Sequence, residues 1–279
     1  MKSYLLFFLL PVLLFAEGVE GIPKSIYLSS GNIKLRLEAS KRWNINRIER
    51  NGELLSVDNP SAHYGMTYSP EGSKFFIGSG HTESGEGEVV ESLKIWIDGK
   101  ETPAAEKMSG NVIAMEKVSK ILAFTVKYSF RLENNRLYER TEVTALRDEN
   151  VKVLYCFMHP WATRFSQCHG MHADGRKVDY SLTASEKMPC MVFLPAAAFF
   201  DEKSGIIAAT FLKLESGTAN ARRLIWDRKV YRKDYLNDFY HKPFPAGHTA
   251  VYSAVTGFAD ASAANWISEA EKLMTELGK

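Results

Sequence analysis

Cysteine is nearly missing from this chain: Cys156, Cys168 and Cys190 are the only three among 279 residues. Three thiols cannot build a disulfide framework, and an odd number leaves at least one unpaired. At most one bridge is expected, Cys168–Cys190, with Cys156 packing inside an apolar run as a small hydrophobe. A surplus of one charge is also lacking, since 35 Lys and Arg face 33 Asp and Glu. That balance excludes the basic stripe of a nucleic-acid binder, so no nucleic-acid partner is expected. Pro/Ser-rich linkers, repeats and low-complexity tracts are absent, which makes a single domain the simplest organisation. Past the N-terminus no stretch approaches the roughly 18 apolar residues of a membrane span. The scattered Asp residues form no Ca²⁺ loop. Cys168-His169-x-x-His172 crowds its potential ligands into one short segment with no second Cys pair, so neither a metal nor another cofactor is expected.

What the chain does have begins with an export signal. Lys2 precedes an apolar block from Tyr4 to Phe15, and Leu14-Phe15-Ala16 offers small-residue cleavage. Residues 1–16 are therefore read as a secretory signal peptide. Residues 17–279 are read as one secreted or periplasmic domain with no stable membrane span after cleavage. Short alternating segments separated by turn dipeptides follow. Asn51-Gly52, Asp98-Gly99 and Asn134-Asn135 each join two β-branched or aromatic runs, which is a hairpin signature. In "ILAFTVKYSFRL", Leu122, Phe124, Val126, Tyr128 and Phe130 recur with period two, predicting one buried face. Helical spacing is confined to the end, where Trp266, Ile267, Ala270, Leu273, Met274 and Leu277 predict an amphipathic helix capped by an Asp or Ser and stopped at Gly278. The expected fold is all-β: a large antiparallel β-sandwich with one C-terminal helix.

Three stretches carry side chains suited to chemistry. In "VLYCFMHPWATRF", a strand delivers His159 and is ended by Pro160, which cannot donate to a ladder. His159 then sits where a sheet meets its loops and can shuttle a proton near neutral pH. Trp161 beside it offers the apolar face on which the CH-rich side of a sugar stacks. In "FFIGSGHTESGEGEVVES", His81 and Glu83 are two apart on an extended segment and share a face, suiting an acid/base pair or two hydroxyl-binding groups. In "IWDRKVYRKDYLNDFYHKPF", Arg228, Tyr231, Arg232, Lys233 and Tyr235 combine cations with aromatics, as an acidic sugar would require. His63, in "SAHYGMTY", is a further strand-end candidate.

The run "ALRDENVKVLYCFMHPW" resembles the middle of the galactose mutarotase-like supersandwich proteins, the aldose 1-epimerases and their carbohydrate-active relatives, with His159, Pro160 and Trp161 at the motif positions. The resemblance implies a supersandwich and a sugar site, and Arg47 in "WNINRIERNG" is similar to an early sugar-holding Arg of the epimerases. Two departures follow. Met158, not Asn, precedes the His, and the only glutamates after "IWDRK" are Glu269, Glu271 and Glu276, in the expected helix. These turn the expectation from a mutarotase toward a secreted enzyme acting by β-elimination on a uronic-acid-containing polysaccharide or oligosaccharide. His159 or His81 would be the base, and Tyr231 or Tyr235 the proton donor. Arg228 or Arg232 would neutralise the carboxylate, and Glu83, Trp161, Arg47 and His63 would help hold the sugar. A non-catalytic carbohydrate-binding sandwich and an epimerase-like isomerase are the alternatives.

Overall fold

The computed structural model describes residues 19–57, 64–79, 81–82 and 87–279; for 81, 82, 241 and 242 only the backbone is described. The expected signal peptide, His63 and Glu83 lie outside the described residues, as does the side chain of His81.

The first strands are β1 (Ser25–Ser30), β2 (Ile33–Glu38), β3 (Ile45–Arg50), β4 (Glu53–Leu54), β5 (Thr67–Pro70), β6 (Ile77–Gly78) and β7 (His81–Thr82). Next come β8 (Val89–Ile97), β9 (Lys100–Thr102), β10 (Lys107–Ser109), β11 (Ile113–Ile121), β12 (Phe124–Glu133) and β13 (Arg136–Ala145). The long β14 (Glu149–Trp161) is followed by β15 (Gln167–Met171), β16 (Lys177–Ser181), β17 (Cys190–Val192) and β18 (Ala196–Asp201). The chain ends with β19 (Ile206–Leu214), β20 (Arg222–Asp227), β21 (Arg232–Phe244), β22 (Thr249–Asp260) and the helix α1 (Trp266–Leu277). No helix among the described residues is long and apolar enough to cross a membrane.

The strands form three sheets. A ten-stranded sheet runs β16-β15-β18-β19-β22-β13-β12-β11-β8-β9, and a seven-stranded sheet runs β17-β20-β21-β14-β5-β6-β7. The smaller third sheet runs β10-β1-β2-β3-β4. Inward side chains of the two larger sheets share one core, as where Tyr68 of β5 meets Phe124 of β12 edge-to-face at 4.9 Å. The expected all-β sandwich with one terminal helix is the observed architecture.

The turn dipeptides act as their residue types require. Asn51-Gly52, Asp98-Gly99 and Asn134-Asn135 all have positive φ, the geometry that matches the twist of a tight hairpin. On β12, Phe124, Val126, Tyr128 and Phe130 are buried as their period predicts. Leu122 is not: it occupies the β11–β12 turn at φ 49° and is exposed, so the periodic face begins two residues later. The helix packs Trp266, Ala270, Leu273, Met274 and Leu277 against β18, β19 and β22, leaving Ile267 outside. Small residues Ala196, Ala198 and Ala209 let it approach, and Trp266 stacks on Phe200 at 5.1 Å. A fully buried side chain such as Met274 contributes about 1.5–3 kcal/mol. The residue before the helix is Asn265, not Asp or Ser, and its Oδ1 accepts from the Ser262 N–H and hydroxyl rather than capping the helix. The expected Cys168–Cys190 bridge is absent. All three cysteines are buried thiols, and Cys190 Sγ lies 3.6 Å from the Arg223 carbonyl, to which it donates.

Candidate functional site

Strand β21 sorts its side chains onto the two faces of the seven-stranded sheet, and the sorting defines the site. Arg232, Asp234 and Leu236 point into the sandwich, whereas Lys233, Tyr235 and Asn237 point outward. Cross-strand pairing extends the outward set into rows: Trp226–Lys233–Pro160, Leu224–Tyr235–Met158 and Arg222–Asn237–Tyr155. Met158, Leu224, Tyr235 and Tyr155 form their own apolar cluster, separate from the main core. Phe76 lies on Tyr155, with rings stacked at 4.8 Å, and Tyr155 meets Tyr235 edge-on at 5.8 Å.

Lys233 is the centre of this face. Its ammonium lies 4.5 Å from the Tyr235 ring centroid, 5.0 Å from Trp226 and 5.9 Å from Tyr155. All three distances are within cation–π range. Elsewhere the buried cations are matched to acids: Arg50 to Asp260, Lys117 to Glu88, Arg223 to Asp234 and Arg232 to Asp227. Lys233 has no such carboxylate among the described residues. Burial, reinforced by the positive charge of Arg228, brings its pKa down to about 8. Arg228 lies over the Trp226 ring at 4.4 Å and pairs with Glu186 at 2.9 Å. Burial pushes the Tyr155 phenol up to about 12, with Tyr231 adding to the rise. Tyr235 is raised well above an ordinary phenol by burial and then by Tyr231. All these phenols hold their protons at neutral pH and are therefore donors. Asn237, beneath this layer, is buried with neither amide atom hydrogen-bonded.

No family model matches the chain, and no curated protein matches it in sequence. Solved structures do match in shape. A galactose mutarotase-like protein from Lactobacillus casei ATCC 334 superposes with TM-score 0.53 at 7% identity, covering 84% of this chain and 100% of that one. A galactose mutarotase related enzyme from Lactobacillus acidophilus gives 0.51 at 9% identity, over 86% and 98% of the two chains. This chain has the galactose mutarotase-like fold. The same fold forms part of a longer protein, the α-N-acetylgalactosaminidase NagBb of Bifidobacterium bifidum solved with GalNAc, with TM-score 0.54 and 10% identity over 90% of this chain and 38% of that one.

Within this galactose mutarotase-like fold, the residues expected from sequence divide between the two faces. Tyr235 and Arg228 belong to the outward face, and Tyr231 is buried beside it. His159, Trp161 and Arg232 do not. A β-bulge between Tyr155 and Phe157 shifts the register of β14 against β21. Strict alternation from the outward Tyr155 would carry His159 and Trp161 outward too; one extra residue turns both inside. Trp161 is fully buried against Phe165, Phe199 and Phe258. Arg232 is spent on Asp227 and on the carbonyls of Thr163, Phe165, Leu182 and Arg228. Arg47 belongs to β3 of the small sheet and pairs with Glu49. His81 begins β7, the edge strand of the seven-stranded sheet. Sequence reasoning named Lys233 only as part of a mixed surface, and passed over Trp226, Tyr155, Phe76 and Asn237. Period-two alternation along "RKDYLND" is the signal that separates the faces.

His159 has a different role from the one its motif implied. Its Nε2 is 2.8 Å from Glu139 Oε2 of the opposing sheet, and Tyr128 donates to Glu139 Oε1 at 2.7 Å. Burial works against the imidazolium, but Glu139 and then Asp234 outweigh it and raise the pKa. A group whose folded pKa is raised contributes stability that is complete below the unfolded value of about 6.5 and is lost as pH climbs through the folded value. Urea midpoints are therefore expected to fall as pH rises above 6.5. His159→Gln should be less stable and lose that part of the slope; an unchanged slope would remove the ion-pair role.

Proposed function

We propose that this protein is an exported carbohydrate-active protein that takes an acidic saccharide on the outward face of the seven-stranded sheet. The observation that carries this reading is a lysine with no carboxylate partner among the described residues, held among three aromatic rings beside Arg228. Trp226, Tyr155 and Phe76 supply ring faces for the CH side of a pyranose, and Arg228 supplies a fork for its carboxylate. The solved relatives of the same fold include one whose structure holds GalNAc, which supports a sugar ligand. Export rests on the N-terminal apolar block.

The arrangement suits β-elimination on a uronate. Arg228 neutralises the carboxylate, and the Lys233 amine takes the proton from C5. The electron pair left on C5 forms the C4–C5 double bond as the C4–O bond breaks. The half-buried Tyr155 phenol protonates the departing oxygen, a role the buried Tyr235 and Tyr231 hydroxyls cannot take. A base with pKa about 8 is matched to neutral pH. The epimerase alternative is not retained, because the carboxylate opposite His159 is Glu139, and both are inside the sandwich.

The test is ultraviolet absorbance of the unsaturated product across a panel of uronate polymers. A signal that rises with pH through about 8 and falls about 10²–10⁴-fold in Lys233→Met is expected. Retained polymer binding without product would turn the reading to a carbohydrate-binding module. Absence of both binding and product would overturn it.

A further inference from the structure

We infer that Lys233 is a carbonyl-capturing amine, which forms an imine with the open-chain aldehyde of a reducing sugar lying on the outward face. The identity of that aldehyde rests on the saccharide reading above; the reactivity of the amine does not. An ordinary lysine is kept protonated by water and often by a carboxylate. Here the half-buried ammonium is crowded by the rings of Tyr235, Trp226 and Tyr155, which take the place of part of its hydration. The charged groups described at the face besides Lys233 are Arg222, Arg228 and its partner Glu186, and Glu186 is committed to Arg228 and to the Lys229 N–H. Among the described residues, therefore, no acid holds the proton on Lys233. With its pKa at about 8, against about 10.4 for an ordinary lysine, on the order of a hundredfold more of the amine is neutral at pH 7.

The chemistry needs nothing the face lacks. The nitrogen lone pair attacks the aldehyde carbon, and the carbonyl electrons move to oxygen, which becomes a hydroxyl as the nitrogen gives up a proton. The protonated Tyr155 phenol then assists loss of that hydroxyl as water. The nitrogen releases its second proton as C=N forms, returning the phenol's proton. The net change is amine plus aldehyde to imine plus water, with no oxidant or reductant.

The experiment traps the imine. The full chain is incubated at pH 7 with glycolaldehyde, which needs no sugar recognition, and separately with glucuronate. Cyanoborohydride reduces any imine, and peptide mass spectrometry locates the secondary amines. The expected result is an adduct on Lys233 at least about tenfold above any other lysine, rising further by pH 8.5. Lys233→Arg should abolish that adduct and leave the background on other lysines unchanged. Methyl glucuronide, which has no aldehyde, is measured for binding in parallel. Glycolaldehyde spread evenly over the lysines would overturn the inference, whatever the sugar data say. Selective glycolaldehyde labelling with no binding of either uronate would keep the reactive amine and overturn the acidic-saccharide reading instead.

Discussion

Replacing Glu88 by Ala should cost about 3–5 kcal/mol of folding stability, read as a fall in the urea midpoint. Glu88 and Lys117 are both buried, and Lys117 Nζ is 2.6 Å from Glu88 Oε1. The carboxylate also accepts from Ser119 at 2.7 Å, Ser79 at 2.9 Å and Asn44 at 3.0 Å. Lys117 donates in addition to the Arg42 carbonyl and to Asn44 Oδ1. Removing the acid leaves an ammonium in the sandwich interior without its counter-charge, which costs more than the pair itself contributes. The double variant Glu88→Leu, Lys117→Met should therefore regain most of the loss; a double variant as unstable as the single would refute the charge argument. Space is tight here, since a Cβ at Gly65 would come within 2.6 Å of Asn44 Oδ1 and Ser79 Oγ. The pH dependence has a defined sign. Burial alone would raise the Glu88 pKa, but Lys117 and the hydroxyls hold it below the ordinary value. Its contribution is complete above about pH 4.3 and is lost as pH falls through the lowered value.

Arg232→Ala should also destabilise by about 3–5 kcal/mol, without first changing affinity for any ligand in the fraction that folds. Its guanidinium bonds Asp227 at 2.5 Å and four carbonyls from three separate segments. Asp227 in turn accepts from the N–H groups of Thr183, Ala184 and Ser185 and from the Ser185 hydroxyl. The arginine therefore ties the loop before β17 to β20 and β21, and its loss leaves the buried Asp227 carboxylate without its counter-charge and orphans several carbonyls together. The measurement is paired urea unfolding and sugar titration. A stable Arg232→Ala protein with weakened binding would restore the ligand role that the sequence implied.

Strand content, the hairpin turns and the final helix were all readable because each depends on local periodicity and on residues that accept positive φ. The face on which a side chain lies was not readable wherever a strand is irregular. In β14 the bulge after Tyr155 inverts the parity of everything that follows, and so His159 and Trp161, the residues of the motif, end inside. Nothing in "VLYCFMHPW" marks that bulge, which has neither Gly nor a turn residue. In β21 the alternation holds at the site, but Arg232 and Lys233 look alike as letters. Only the acid available on each side distinguishes them: Asp227 bonds Arg232 on the inner face, whereas the acid described on the outer face, Glu186, pairs with Arg228 and not with Lys233. The early His and Glu candidates cannot be placed in the same terms, since Glu83, His63 and the His81 side chain lie outside the described residues.

Strand β22, the last in the chain, occupies the middle of the ten-stranded sheet, hydrogen-bonded to β13 on one side and β19 on the other. Until those residues leave the ribosome, the sheet is two unjoined halves with raw inner edges, and the helix that covers its alanine-lined outer face follows only afterwards. The sheet therefore cannot close until β22 has been made. A chain cut off before β22 would carry two exposed strand edges, those of β13 and β19, a ready substrate for chaperones or for aggregation.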